Sequence, residues 1–330
     1  MNFLSSQLQS TKIHNSKRKL SRQALITLLT TALVAGTAQA ERPATFWVNK
    51  TSGDFFDFSN WNLGLPGTSL DARIDNGGIA QITYPLEQTI PYVYLGSTQN
   101  TSGTLEITGD GVANFTTMVV GALNATGTLK ITAGGQLTSF GGPIGSDYLG
   151  VGVATVDGAG SSWRINGSET VIGGNGTGSL KVQNGGAFTI ANGTGRIQLG
   201  NHPTSEGNIH IGTGGTAGTL NAQEIYNGEG RGTLIFNHLD AALSFAPKLT
   251  GVKTVNGYLN VLHEGPGTTI LTAVESNLAG TVTVAAGTLI VNGKIMGSVT
   301  DVLMDDQIVQ EKTIGETLVQ VGGTLGGSGF

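Results

Sequence analysis

The residues of this chain best suited to chemistry are its carboxylates: Asp110, Asp147, Asp157, Glu169, Glu206, Glu224, Glu229 and the acidic patch at 301–306. Cleavage of a glycosidic bond needs two such groups about 5–10 Å apart beside a groove. Here they fall mostly one per repeating unit, at turns or outward strand positions. Asp305 and Asp306 are adjacent, so on a strand they would face opposite sides. This spacing predicts solvated turn residues rather than an acid–base pair. A lyase would want a basic residue over clustered acids holding Ca²⁺, and the sequence offers no such cluster.

The other chemical groups are as dispersed. His14, His202, His210, His238 and His263 are scattered and form no H-E-x-x-H or paired spacing, so no metal site is expected. A G-x-S-x-G elbow is absent, which leaves Ser-His-Asp chemistry without support. Gly228-Glu229-Gly230-Arg231-Gly232 has the outline of a dinucleotide fingerprint but does not open a helix. Gly134-Gly135-Gln136 and Gly185-Gly186-Ala187 lack the Asp of a calcium-roll nonapeptide. The chain has no Cys, which removes disulfides, Cys-ligated metals and thiol nucleophiles. The expectation is therefore no catalytic, no cofactor-binding and no metal-ligating residues, and no cofactor. Seven Asn-x-Ser/Thr triplets, Asn100, Asn124 and Asn175 among them, read as turn chemistry.

The elements that carry these residues repeat. Between residues 92 and 234 each copy opens with an aliphatic-Gly pair: Leu95-Gly96, Val120-Gly121, Leu149-Gly150, Ile172-Gly173 and Leu199-Gly200. A strand start follows at Gly103, Gly127, Gly152, Gly178, Gly207 and Gly232, with steps of 24, 25, 26, 29 and 25 residues. A fixed period in this range signals stacked supersecondary units. Alternation assigns the faces: Leu105 and Ile107 one way, Thr104, Glu106 and Thr108 the other. Leu129/Ile131 and Leu180/Val182 repeat the pattern. Facing strands direct Ala113/Phe115, Leu137, Trp163/Ile165 and Phe188/Ile190 inward. No unit buries these few side chains alone, so coils stacked about 4.8 Å apart into one tube are expected.

With 53 Gly in 330 residues and only 12% charged residues, helix is disfavoured and many short strands are favoured. The expected fold is all-β, a right-handed parallel β-helix solenoid. A propeller would need about 40 residues per blade, and a sandwich would not need the fixed period. Removing residues 1–40, with five basic and no acidic side chains, leaves 12 basic against 22 acidic residues. That surface has no basic cluster, so nucleic acid is not an expected partner.

Residues 1–40 read as a cleaved secretory signal: a long basic region to Arg22, an apolar core from Ala24 to Gly36, and Ala38-Gln39-Ala40 as the cleavage site. Residues 41–91 hold Trp47, Trp61 and Phe55, Phe56 and Phe58, and read as an N-terminal cap; the alternative is an aromatic platform for carbohydrate. Residues 92–240 are the solenoid repeats. Residues 241–330 change character, with 241–247 as an irregular corner and 301–306 as an exposed loop or insertion. The chain stops at Phe330 straight after a turn signal, so the natural sequence is expected to continue or to have been truncated.

Residues 149–165 (LGVGVATVDGAGSSWRI) and 171–190 (VIGGNGTGSLKVQNGGAFTI) resemble the repeat shared by type V secretion autotransporters and exosortase-anchored surface proteins. The segment SGDFFDFSNW, followed by Pro66 and Asp71-Ala72-Arg73-Ile74-Asp75, is similar to the usual start of such proteins. Residues 265–329 resemble the autotransporter-associated β-strand repeat, and the long basic leader resembles extended signal peptides of that route. The resemblance implies a secreted or surface-displayed, non-catalytic passenger on the outer membrane of a Gram-negative bacterium, reached through the periplasm. It implies an adhesive role toward host-surface or matrix glycans or proteins. It also implies a translocator β-barrel in full-length relatives, which this sequence does not contain. The competing expectations are a polysaccharide lyase or hydrolase on the same scaffold, and a fragment without function.

Overall fold

The computed structural model describes residues 42–328 apart from 297, 305, 306, 314 and 315. The expected signal segment with its cleavage site, and the Asp305-Asp306 pair, lie outside the described residues.

The repeat glycines of the sequence are one physical column. Strands Ser102–Thr108, Thr126–Thr132, Val151–Asp157, Thr177–Gln183, Glu206–Ile211 and Arg231–Phe236 pair in parallel, so that Gly103, Gly127, Gly152, Gly178, Gly207 and Gly232 are successive partners. Locking one row locks the rest. Leu105, Leu129, Ala154, Leu180, Ile209, Leu234 and Val261 form one inward ladder; Ile107, Ile131, Val156, Val182, Ile211 and Phe236 form the next. All are fully buried or nearly so. Full burial of such a side chain is worth about 1.5–3 kcal/mol, which a lone coil would forfeit on its open faces. The parallel β-solenoid is the observed architecture.

The sheet built on this column has eleven strands, from Ser52–Asp54 to Thr317–Val319. Facing it is an eight-stranded sheet from Ala44–Phe46 to Thr219–Asn221, whose inward row runs Ala113, Leu137, Trp163, Phe188 and Leu220. A six-stranded third side starts at Glu169–Ile172 and ends at Lys294–Met296. Ser139 is a polar residue within the core, and its hydroxyl accepts the Trp163 indole N–H at 3.0 Å.

Corners are set by backbone geometry. The amides of Gly96, Gly121, Gly145, Gly173 and Gly200 donate to Ile74, Leu95, Val120, Ile144 and Ile172 carbonyls, a continuous ladder with every glycine at positive φ. The third member is Ile144-Gly145, which corrects the assignment of Leu149-Gly150. Leu149 is 54% exposed and sits on the loop after the corner. A loop of different length there moves the similar Leu-Gly pair out of phase.

Three of the N-terminal aromatics face inward, whereas Phe58 is exposed and Phe56 is half-buried against Tyr84. Trp61 meets Trp47 and Phe55 edge to face, both at 5.1 Å, and its indole donates to the Phe55 carbonyl at 2.8 Å. All three rings are 3% exposed or less, so they are no platform for sugar. Beyond residue 240 one further expectation changes. The supposed corner at 241–247 contains strand Leu243–Phe245, which opens a fourth sheet continued by Thr268–Leu271, Gly287–Val291 and Gly323–Gly327. It takes over where the eight-stranded sheet stops. The acidic patch begins inside an antiparallel hairpin, Ser298–Met304 with Gln307–Thr313, inserted between coils, the second of the two alternatives expected there. Coils also shorten here: Val261 pairs with Val282, a step of 21.

Two glycines with positive φ separate steric need from conformational need. A β-carbon on Gly121 (φ 74°) would drive into the Val151 carbonyl, whereas on Gly109 (φ 62°) it would meet nothing within 4 Å. Gly109→Ala should lower stability by about 1–2 kcal/mol, the left-handed penalty alone. Gly121→Ala should lower it clearly further, read as the difference in urea midpoints; equal losses would contradict the corner ladder.

Candidate functional site

The fold brings together side chains that the sequence leaves apart. The third side of the column carries Glu169, Arg196, Glu224 and Lys248 as consecutive partners, continued by Glu275 beside Lys294. Charge alternates at every rung. Arg196 reaches Glu224 at 2.7 Å and Glu169 at 3.9 Å, and lies 4.2 Å over the Tyr226 ring. Two of the candidate carboxylates therefore flank one guanidinium. Each exposed pair adds little, about 0–1 kcal/mol. A slip of one residue would set Arg196 against Thr170 or Glu169 against Ile197 and break the pairs along the row, so the row favours this register.

Tyr226 also bonds Glu169, and burial together with that carboxylate pushes its hydroxyl up to about 12. The remaining acids are similarly occupied or open. Asp157 accepts the Gln183 and Asn184 amides at 3.1 and 2.7 Å. Glu206 meets Arg231 at 3.3 Å. Glu106, held low by the Lys130 ammonium at 2.8 Å, also accepts from Gln81. Asp110, Asp147 and Glu229 are exposed at turns. Among the described residues no group of three His, Asp or Glu side chains is placed to hold a metal.

Two of the scattered histidines do meet. His238 and His263 lie inside the column with Thr269 between them, all three without solvent exposure. Asp240 is 3.3 Å from His238, and the Thr269 hydroxyl 2.8 Å from its other ring nitrogen. Those are the members of an acid–base–nucleophile relay, but a sealed one. No substrate atom reaches Thr269 Oγ1.

The open concavity lies outside, on loops that follow the corner glycines. A cleft of about 450 Å³ is lined by Arg73, Ser97, Thr98, Gln99, Leu123, Asn124 and Tyr148. Four successive coils build it. Asn124 donates its side-chain amide to Asn100 at 3.0 Å, and its backbone N–H to the Tyr148 carbonyl at 2.8 Å. Asp75 holds the near wall, accepting from the Ser97 amide and from the Ser97 and Thr98 hydroxyls at 2.7–2.9 Å. Arg73 lies 4.8 Å over the Tyr94 ring. Leu123 and Tyr148 are 54% and 64% exposed. Leu123, Asn124 and Leu149 all have positive φ, a conformation that is uncommon outside Gly and a genuine outlier for a bulky side chain. Sequence reasoning missed this site. Its one visible signal was a Leu and a Tyr in loop positions otherwise given to Asn, Ser, Thr and Gly.

A second hollow, about 570 Å³, lies beside the N-terminal segment between Phe56, Tyr84 and residues 85–88. There Phe56 stacks on Tyr84 at 4.4 Å.

The chain is similar to an autotransporter adhesin. The match is to the adhesin BmaC autotransporter of Brucella suis biovar 1 (strain 1330), with 28% identity over 279 residues. It covers 81% of this chain and 7% of that relative, so the chain spans a small part of the relative's length. The β-solenoid is consistent with an autotransporter passenger. No family model matches, and no solved structure matches.

The Tyr226 environment gives a direct check. Glu169→Gln removes the negative charge that resists ionisation, so the most alkaline tyrosinate transition should move down from about 12 toward 10. Ultraviolet titration of the six tyrosines reads it. An unchanged transition would separate Glu169 from Tyr226.

Proposed function

We propose that this chain is a non-catalytic part of a secreted, surface-displayed adhesin of the autotransporter kind, and that it holds a glycan against the Tyr148 cleft. The observation that carries the reading is the similarity to an autotransporter adhesin over most of the chain. The cleft supports the choice of partner. A pyranose ring offers an apolar face and a rim of hydroxyls. Tyr148 and Leu123 present apolar surface, while Gln99, Asn124 and Thr98 present amide and hydroxyl groups. Aromatic side chains contribute large contact area with few torsions to freeze. One such site is shallow and would bind weakly. Strength would come from many sites on many displayed copies.

The non-catalytic part of the reading rests on the acids. Each candidate described is salt-bridged, amide-bound or alone at a turn, and glycoside cleavage needs two acting together. Display at the outer surface, after passage through the periplasm, follows the relative's autotransporter character.

A panel of immobilised neutral and acidic glycans, probed with the full chain after residue 40, tests both parts. Tyr148→Ala should weaken binding to the recognised glycan by about tenfold, the size of an aromatic contact plus its area. Trp163→Phe, buried within the column, should leave binding unchanged where the protein folds. Binding untouched by Tyr148→Ala would remove the cleft from the account. Turnover of any polysaccharide, lost on changing Glu169 or Glu224, would favour a carbohydrate-active enzyme instead.

A further inference from the structure

The coils between residues 231 and 289 contain the one place among the described residues where two imidazoles enter the core. His263 continues the inward ladder: its strand partners are Phe236 above and Val284 below. His238 follows the end of strand Arg231–Phe236, and its ring stands edge to face with His263, centroids 5.7 Å apart. Thr269 occupies the inward row of the neighbouring side, between Leu243 and Leu289. Apolar side chains thus bracket the trio along the column.

The hydrogen bonds have a single direction. The Asp240 backbone N–H points at His238 Nδ1, 3.2 Å away, so that nitrogen must accept. His238 then carries its proton on Nε2 and donates to Thr269 Oγ1 at 2.8 Å. At the far end His263 Nδ1 is 2.9 Å from the Ala286 carbonyl, which only accepts, so His263 Nδ1 carries its proton. That leaves His263 Nε2 as an acceptor, 3.2 Å from Thr269 Oγ1, and the hydroxyl proton goes there. Asp240 N–H, His238, Thr269, His263 and Ala286 C=O form one head-to-tail chain with every donor and acceptor used. It closes only when both rings are neutral. A further proton on His238 would oppose the Asp240 N–H, and one on His263 would oppose the Thr269 hydroxyl. Either would also place charge in an apolar interior.

The charged group that faces the pair is the Asp240 carboxylate, at 3.3 Å from His238, and it already accepts the Ala217 backbone N–H at 2.7 Å. Glu264, next in the chain to His263, points to Asn237 on the outer face. Phe236, Phe245, Val284 and the backbone of Ala286 complete the surroundings. Asp240 opposes the effect of burial on His238; nothing comparable faces His263.

We propose that the His238–Thr269–His263 relay is an acid-sensitive joint, at which mild acid opens these coils while the earlier coils stay closed. Burial holds both imidazoles below the ordinary 6.5, in agreement with the geometry. The sign follows from linkage. The unfolded coil binds protons at about 6.5 and the folded coil does not, so stability is full above 6.5 and falls as pH drops toward the lowered folded values. For groups neutral throughout in the fold, the local opening equilibrium rises up to about tenfold per histidine between pH 7.5 and 5.5, about a hundredfold for the pair. Carboxylates remain ionised across most of that window. A rod with such a joint would change its shape or its exposed surface on entering an acidified compartment.

Hydrogen exchange of the full chain at pH 7.5 and 5.5, corrected for intrinsic rates, tests this. Amides of Arg231–Phe236, Tyr258–His263 and Thr268–Leu271 should lose at least tenfold in protection at pH 5.5, while those of Thr126–Thr132 and Val151–Asp157 should not. His263→Phe, which keeps a ring beside Phe236, should remove about tenfold of the effect. His210→Gln, on the outer face and also held low by burial and Lys181, should leave the effect at the joint in place. Uniform loss along the rod, full pH dependence retained in His263→Phe, or both buried imidazoles titrating near 6.5 in the folded chain by NMR would overturn the proposal. Should His263→Phe fail to fold, the wild-type exchange pattern and imidazole titration decide alone.

Discussion

Everything in this molecule depends on neighbouring coils keeping one register. A coil of about twenty-five residues directs only a few aliphatic side chains inward, and both of its flat faces are rows of unpaired backbone groups until another coil covers them. Stacking in phase satisfies both needs together, since the parallel ladder that pairs N–H with C=O also sets leucine on leucine. A slip of one residue would turn the whole inward row to solvent and the threonines into the core. The column therefore has no partial solution, and the residues that matter most are those that forbid slippage. The corner glycines do so sterically. The Glu169–Arg196–Glu224–Lys248 row does so by charge, and the Trp163–Ser139 hydrogen bond does so by giving a polar core atom one acceptable height.

This constraint also explains where function can reside. Inward positions are committed to packing, and outward strand positions form flat polar ladders. Concavity and irregularity are left to the loops that join a corner to the next strand. These loops vary in length from coil to coil without disturbing the ladders, and they carry the exposed Leu123 and Tyr148 in positive-φ turns. The rigid scaffold with variable loops is a common division of labour, here repeated along one axis. The buried histidines are, with Ser139, polar groups in the core, tolerated because a complete hydrogen-bond chain surrounds them.

The sequence reading reached the fold because the determining signals are local and repeated. The six strand-start glycines identified from spacing alone became strand partners, and Leu105, Ile107, Leu129, Phe188 and Ile190 point inward as alternation requires. It failed where position depends on a neighbour's loop length. Leu149-Gly150 matched the corner motif as text, yet the corner fell at Ile144-Gly145. Leu243–Phe245 was unreadable as a strand because three residues carry no period. The 298–313 hairpin interrupts the repeat, so its strands had no phase to be compared with. The site was hidden for the same reason. Arg73, Gln99, Leu123 and Tyr148 are about twenty-five residues apart, and only the stacking offset places them on one cleft. His238, His263 and Thr269 looked dispersed because their meeting crosses two sides of the column.

The most direct test of the register uses the absence of Cys from this chain. Thr128 and Val153 are outward-facing partners on adjacent parallel strands, within the Cα separation that a disulfide spans. Thr155 faces the same way but lies two residues further along, about 8 Å from Thr128 by strand spacing and rise. Thr128→Cys with Val153→Cys should cross-link under mild oxidation, and Thr128→Cys with Thr155→Cys should not. Cross-linking of the second pair in preference to the first would contradict the stacked, in-phase column on which the account rests.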